Sequence, residues 1–170
     1  MNDAPSKIAK GWMPFPIWMI MSSSIAVLDQ LTKIAIIKWV PLYDKIPLNS
    51  FINITHQRNT GAAFSFLADA GGWQRWFFAG LASIVSGVII VWLHQLRKDR
   101  MTVLAAGLIL ILGGAVGNVI DRMRLGYVVD FFQVLIAGWP FPSFNVADAA
   151  ITIGAALIII DALFISGRKT

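Results

Sequence analysis

Residues 113–132 read GGAVGNVIDRMRLGYVVDFF. The first half is glycine-rich and apolar, the composition of a helix that approaches its neighbours closely. The second half sets Asp121, Arg122, Arg124 and Asp130 within ten residues. A charge at the middle of a bilayer costs at least about 2.5–3.5 kcal/mol, and less toward the interface. Charges at the end of a membrane-grade segment therefore mark a boundary and imply that something there needs them.

The chain on either side is equally apolar. Of its 170 residues 57% are hydrophobic and only 14% are charged. An ordinary soluble domain carries about a quarter charged residues, so the composition disfavours a soluble globule. All nine acids are aspartates. Solvated helix surfaces use glutamate freely, so little of this chain is such a surface. The absence of cysteine excludes disulfides, thiolate nucleophiles and Cys-ligated metals. A pI near 9.9 raises nucleic acid as a partner, but no basic stripe with interleaved aromatics occurs. Cations beside apolar spans orient a membrane protein and meet anionic lipid instead.

A bilayer core needs roughly 20 apolar residues in a helix. Four stretches qualify, at about 15–39, 73–96, 101–120 and 144–165. Pro14 and Pro16 stand where the first begins, a position that tolerates proline. Residues 1–28 imitate a secretory signal peptide, with Lys7 and Lys10 before an apolar run. No A-x-A site follows and the run continues past Asp29 to span length, so it is read as a retained helix. The link HQLRKDR at 94–100 is short and basic, as a cytoplasmic loop should be. Both termini then share that side. Lysine and arginine number seven on each side, and the higher density on the shorter inner segments decides the orientation. Several outer cations stand beside acids, where pairing is expected.

Segments 40–72 and 121–143 face outward on this reading. The first contains SFINITHQRN, a β-prone run that would place His56 toward solvent. AAFSFLADAGG follows, lying along the interface and turning at Gly71-Gly72. The second is an interfacial loop marked by Trp139, Pro140 and Pro142. Trp12, Trp39, Trp73, Trp76 and Trp139 fall near boundaries, as an aromatic belt does. The pairs Ser83/Gly87, Gly113/Gly117 and Ala150/Gly154 have helix-packing spacing. No repeat or linker appears, so residues 1–170 are expected to form one domain.

Each polar residue has a plain role and a sharper one. Asp29 and Lys33, at i and i+4, form an ion pair that helps the helix end insert, or support a nearby site. Asn145 and Asp148 fit a capping box at the start of the fourth span. Asp130 has Arg122 and Arg124 as candidate partners. Asp121 and Arg124 are expected to pair locally, and Asp161 to reach the inner interface or pair with a neighbour. Asp130 and Asp148 together say more. One follows the third span and the other opens the fourth, on the same side. Two adjacent carboxylates share a proton, so one can activate water while the other protonates a scissile carbonyl. That is aspartyl-protease chemistry and requires no metal or cofactor.

Other constellations fit worse. His56 and His94 fall on opposite sides of the membrane, which disfavours a two-histidine metal site. No HExxH or GxSxG is present. Ser22–Ser24 and Lys33 are separated by roughly 13 Å along a helix, too far for proton transfer.

The blocks DQLTK at 29–33, NTGAAFSF at 59–66, GGAVGNVIDR at 113–122, GYVVDFF at 126–132 and FNVADAAI at 144–151 resemble, in order and over nearly the whole length, those of the bacterial lipoprotein signal peptidases (signal peptidase II). The resemblance implies an all-α membrane protein of four transmembrane helices with a small extracytoplasmic β-rich cradle. It implies an aspartic endopeptidase of the bacterial inner membrane, with both termini cytoplasmic and its site near the outer leaflet. Members remove the signal peptide from diacylglyceryl-modified prolipoproteins, cutting before the lipidated cysteine. The catalytic pair falls on Asp130 and Asp148. Supporting positions fall on Asn59, Gly61, Asn118, Arg122, Asn145, Asp29 and Lys33. Implied partners are prolipoprotein and membrane lipid, with no nucleic acid and the chain working as a monomer. The rival readings are a small proton-coupled membrane transporter subunit and a non-catalytic membrane assembly factor. Transport sites lie near the bilayer midplane between broken helices, whereas these acids are placed at its edge.

Overall fold

The computed structural model describes residues 15–61, 71–96 and 103–165. The elements run α1 (Phe15–Trp39), β1 (Lys45–Pro47), β2 (Ile52–Asn59), α2 (Gln74–Gln95), α3 (Val103–Arg124), β3 (Val128–Ile136), β4 (Trp139–Pro140) and α4 (Val146–Ile160), with a π-helical turn at Asp161–Ile165 closing α4. Four helices are long and apolar enough to cross a membrane. The four strands form one antiparallel sheet in the order β1-β2-β3-β4. The chain is a multi-pass membrane protein with a small sheet at one end of its helices.

Helix α3 is the central element. In its most apolar window 56% of residues are buried, against 17–22% in the other three helices. Glycine makes this possible. A Cβ on Gly113 would meet the Ser22 carbonyl of α1 at 2.6 Å, and one on Gly117 would meet Asp29 Oδ2 at 2.6 Å. On the opposite face a Cβ on Gly114 would collide with the Ala147 carbonyl of α4. Gly107 and Gly154 face one another's carbonyls in the same way. The half of the bundle away from the sheet is closed by Trp18, Ile89, Leu93, Leu108 and Ile109. The small-residue spacing at 113/117 and 150/154 thus corresponds to packing. Ser83/Gly87 does not: both are exposed, and among the described residues nothing lies within 4 Å of a Cβ built on Gly87.

The sheet departs from the expected loops in two places. Segment 121–143 is not an interfacial loop. Helix α3 continues through Arg124, and residues 128–136 form the longest strand, paired with β2. Ala137 and Gly138 take φ of 50° and 83° and join β3 to β4 in a two-residue turn of the kind that matches strand twist. The second departure is a bulge in β2 between Ile54 and Gln57. It buries Thr55 and His56 in succession, where strict alternation would have exposed one. His56 is therefore 5% exposed rather than solvent-facing, and its Nδ1 lies 2.8 Å from the Val40 carbonyl.

The boundary residues behave mostly as expected. Trp39, Trp73, Trp76 and Trp139 are exposed, and Gly71 and Gly72 turn the chain with φ of 80° and 99°. Trp12, the terminal and 97–100 cations, and the interfacial run 62–70 lie outside the described residues. The expected pairing of outer cations holds only for Lys33 among the described residues. Lys38, Arg58 and Arg75 instead lie over the rings of Trp39, Tyr127 and Trp76. Asp161 is buried at 4% exposure.

Replacing Gly114 by valine places branched carbon against the α4 backbone and is expected to destabilise the protein by about 1–3 kcal/mol. Gly87→Leu, on an exposed face, is expected to change stability by less than about 0.5 kcal/mol. Thermal unfolding of both variants in the same detergent checks the contrast.

Candidate active site

Where the sheet meets the helices, a polar network begins at Lys33 on α1. That residue is 1% exposed, and its ammonium reaches Asp29 Oδ2 at 2.8 Å, Asp121 Oδ2 at 3.0 Å and Asn118 Oδ1 at 3.0 Å. A lysine has three N–H donors, and all three are used. The expected i,i+4 ion pair is therefore formed, and it extends to Asp121 and Asn118. Asp121 pairs across helices rather than locally. It also accepts the Gln30 amide at 2.9 Å and the Val129 backbone N–H at 3.1 Å. Removing one partner from a buried ion pair of this kind costs about 3–5 kcal/mol in general.

The same network holds the start of α4. The first N–H groups of a helix have no partner within it. Asp29 Oδ1 accepts the Ala147 N–H at 2.9 Å, and Asn145 Oδ1 accepts the Asp148 N–H at 2.9 Å. Asp148 Oδ2 accepts the Asn145 N–H at 3.3 Å, completing the expected capping box. Asp148 thus sits in the first turn of α4, where the helix dipole favours negative charge.

Asp130 lies on β3, not on a helix, two residues before Phe132. Backbone pairing of Phe131 and Phe132 with Phe144 brings that strand beside the start of α4. Asn145 Nδ2 then donates to Asp130 Oδ1 at 2.8 Å, and Asn59 Nδ2, from the end of β2, donates to Asp130 Oδ2 at 2.9 Å. Asn118 Nδ2 donates to Asp148 Oδ1 at 2.9 Å. Both carboxylates line one cavity of about 620 Å³. Asn59, Asn118 and Arg122 line it as well, and Phe141, Pro142, Ile151 and Ile153 give it apolar walls. No hydrogen bond joins the two carboxylates directly among the described residues. Burial, and next the charge of Asp148, push the Asp130 carboxyl up to about 7, against the donors from Asn59 and Asn145.

The structure brings together every residue expected at the site, in unequal roles. Asp130, Asp148, Asn59, Asn118 and Arg122 face the cavity. Asn145, Gly61, Asp29 and Lys33 stand behind them. Arg122 does not pair with Asp130 within 4 Å among the described residues. It donates to the Gly61 carbonyl at 2.9 Å and lies over the Phe78 ring of α2. Gly61 also donates its N–H to Asn59 Oδ1 at 3.0 Å. His56 sits in the sheet, and His94 stacks edge-on to Phe15 at the other end of the bundle, so the two histidines are apart. Gln30 was not singled out from sequence. It bonds Asp121 and the Gly117 carbonyl, and its place beside Asp29 in DQLTK was the available signal.

Fold and cavity together define a polytopic membrane protein with a carboxylate-bearing site at one end of its helices. Residues 21–164 match the family model described as signal peptidase (SPase) II. The lipoprotein signal peptidase of Acinetobacter baylyi is 48% identical over 153 residues, covering 90% of this chain and 85% of that one. The lipoprotein signal peptidase of Cupriavidus necator is 50% identical over 147 residues, covering 86% and 83%. A bacterial membrane enzyme solved by the in meso method superposes with a TM-score of 0.82 at 31% identity, covering 94% of each chain. The chain belongs to the signal peptidase II family and is a protease. The transporter reading finds no support.

The hydrogen bond from Asn59 lowers the Asp130 pKa, so Asn59→Ala should raise it further and keep the acid protonated to higher pH. Infrared titration of the protonated-carboxyl band, identified by its loss in Asp130→Asn, is expected to show the midpoint moving upward from about 7.

Proposed function

We propose that this protein is an aspartic endopeptidase that removes the signal peptide from diacylglyceryl-modified prolipoproteins, with Asp130 and Asp148 as its catalytic pair. The carrying observation is that both carboxylates line one cavity, each held by asparagine donors, with Asp130 raised to about 7. At neutral pH such a pair holds one proton between its members. The relatives' names supply the class of substrate.

In the reaction, a water between the two acids is the nucleophile. Asp148, at its helix N-terminus, takes a proton from that water as the oxygen attacks the scissile carbonyl. Asp130 gives its proton to the carbonyl oxygen, and a neutral tetrahedral diol forms. The C–N bond then breaks as Asp148 protonates the leaving nitrogen, and a diol hydroxyl returns a proton to Asp130. Water is consumed, and the signal peptide leaves with a new carboxyl end. The asparagines keep the two acids in place, and Arg122 faces the bound peptide from the cavity wall. The apolar walls accommodate the lipid of the modified cysteine, which approaches laterally from the bilayer, and the bond cut is the one before that cysteine.

Cleavage of one lipidated precursor tests this reading. Asp130→Asn and Asp148→Asn should each lower kcat by about 10³-fold or more while unfolding at the wild-type temperature; either variant retaining activity overturns the assignment. Precursor lacking diacylglyceryl should be cut much more slowly than the modified form. Wild-type activity should fall as pH rises through about 7, because Asp130 then loses the proton it has to give.

We further infer that the protein lies in the bacterial inner membrane with both termini cytoplasmic and the cavity near the outer leaflet, from the basic 94–100 link and the tryptophans at the sheet end. A tag placed after Thr170 is expected to resist protease added to spheroplasts; digestion there would reverse the topology.

A further inference from the structure

Three asparagines hold the two acids, and each amide has one end turned away from the cavity. A carboxamide accepts at one end and donates at the other. Filling its acceptor end from behind therefore aims its NH2 forward. Asn59 Oδ1 is filled by the Gly61 N–H at 3.0 Å, and Asn145 Oδ1 by the Asp148 N–H at 2.9 Å. Both are backbone groups. Asn118 Oδ1 accepts from the Lys33 ammonium at 3.0 Å, a side chain on another helix, and more distantly from Asn145 Nδ2 at 3.4 Å.

An ammonium has no acceptor at all. Only the oxygen of Asn118 can face it, so the Asn118 NH2 must face Asp148, where it stands at 2.9 Å. Turning the amide over would set NH2 against the ammonium and oxygen against the carboxylate. The remaining two N–H groups of Lys33 hold it in place on Asp29 and Asp121. Without the ammonium those carboxylates would draw the Asn118 NH2 toward themselves and away from Asp148.

We infer that Lys33 is a positioning residue for the reaction, acting through Asn118: it fixes the direction of that amide and so keeps a donor on Asp148. The inference rests on the aspartyl reading above and deepens it. Lys33 touches no reacting atom; its effect passes through one carboxamide.

A double-mutant cycle on kcat tests it. Lys33→Met alone should lower kcat about 100-fold, the usual scale for losing one preorganised donor. In an Asn118→Ala background the same change should cost less than about 3-fold, because the path to Asp148 is already cut. Equal losses in both backgrounds would mean that Lys33 acts only on the scaffold, and would overturn the inference. A variant that leaves Lys33 intact covers the case in which Lys33→Met does not fold. Asn118→Asp keeps the oxygen that Lys33 holds and deletes the donor to Asp148. It should lower kcat about 100-fold with KM changed less than about 3-fold; unchanged kcat would overturn the inference. Asp148→Asn is run alongside. Its retaining activity would sink the aspartyl reading itself, whereas its inactivity with an additive cycle sinks only the role of Lys33.

Discussion

The Lys33 ammonium is the contact on which the described architecture turns. A charge taken out of water must recover its hydration from fixed partners. Here three acceptors do so, and each is committed elsewhere. Asp29 reaches the first turn of α4, Asp121 reaches the first residues of β3, and Asn118 reaches Asp148. One desolvated charge thus fixes where a strand begins, where a helix begins and where an acid points. The tolerance for error is small, since every partner of Lys33 is buried.

That network needs helices closer than ordinary side chains allow. On α3, Gly117 leaves room for the Asp29 carboxylate of α1, and Gly114 leaves room for the α4 backbone. Lipid offers helices little reason to associate through apolar burial, so close contact and interhelical hydrogen bonds carry the association. The bundle divides accordingly. Its half away from the sheet is closed by Trp18, Leu93, Leu108 and Ile109, and its sheet end holds the charges. The oily composition and the concentrated polar cluster are two sides of one arrangement.

Much of this was readable before the structure, for identifiable reasons. Spans follow from composition, so all four helices fell where hydropathy put them. The capping box was legible because it is local, three residues apart on one chain segment. Non-local features were not. VVDFFQVLI is apolar enough to pass for membrane-facing loop, and only its pairing with β2 makes it a strand. His56 was misplaced because a bulge changes the face of every residue beyond it, and bulges leave no pattern in hydropathy. The partner of Asp121 lies on α1, far away in sequence, beyond what local spacing reveals. Ordered sequence blocks mark the candidate residues, whereas which of them face the cavity and which stand behind it depends on contacts between distant segments.

The ladder between Phe132 and Phe144 has a wider consequence. It ties off the hairpin beyond it, so that the stretch from β3 through the Ala137-Gly138 tip to Phe141 is a closed appendage on an anchored base. Both acids lie on the base side of that tie. Insertions or deletions at the Ala137-Gly138 tip leave that tie in place, so the count of residues between the two acids is free to drift while their spacing is held. The hairpin rim and the pair of acids are thereby free to diversify at different rates within a single polypeptide.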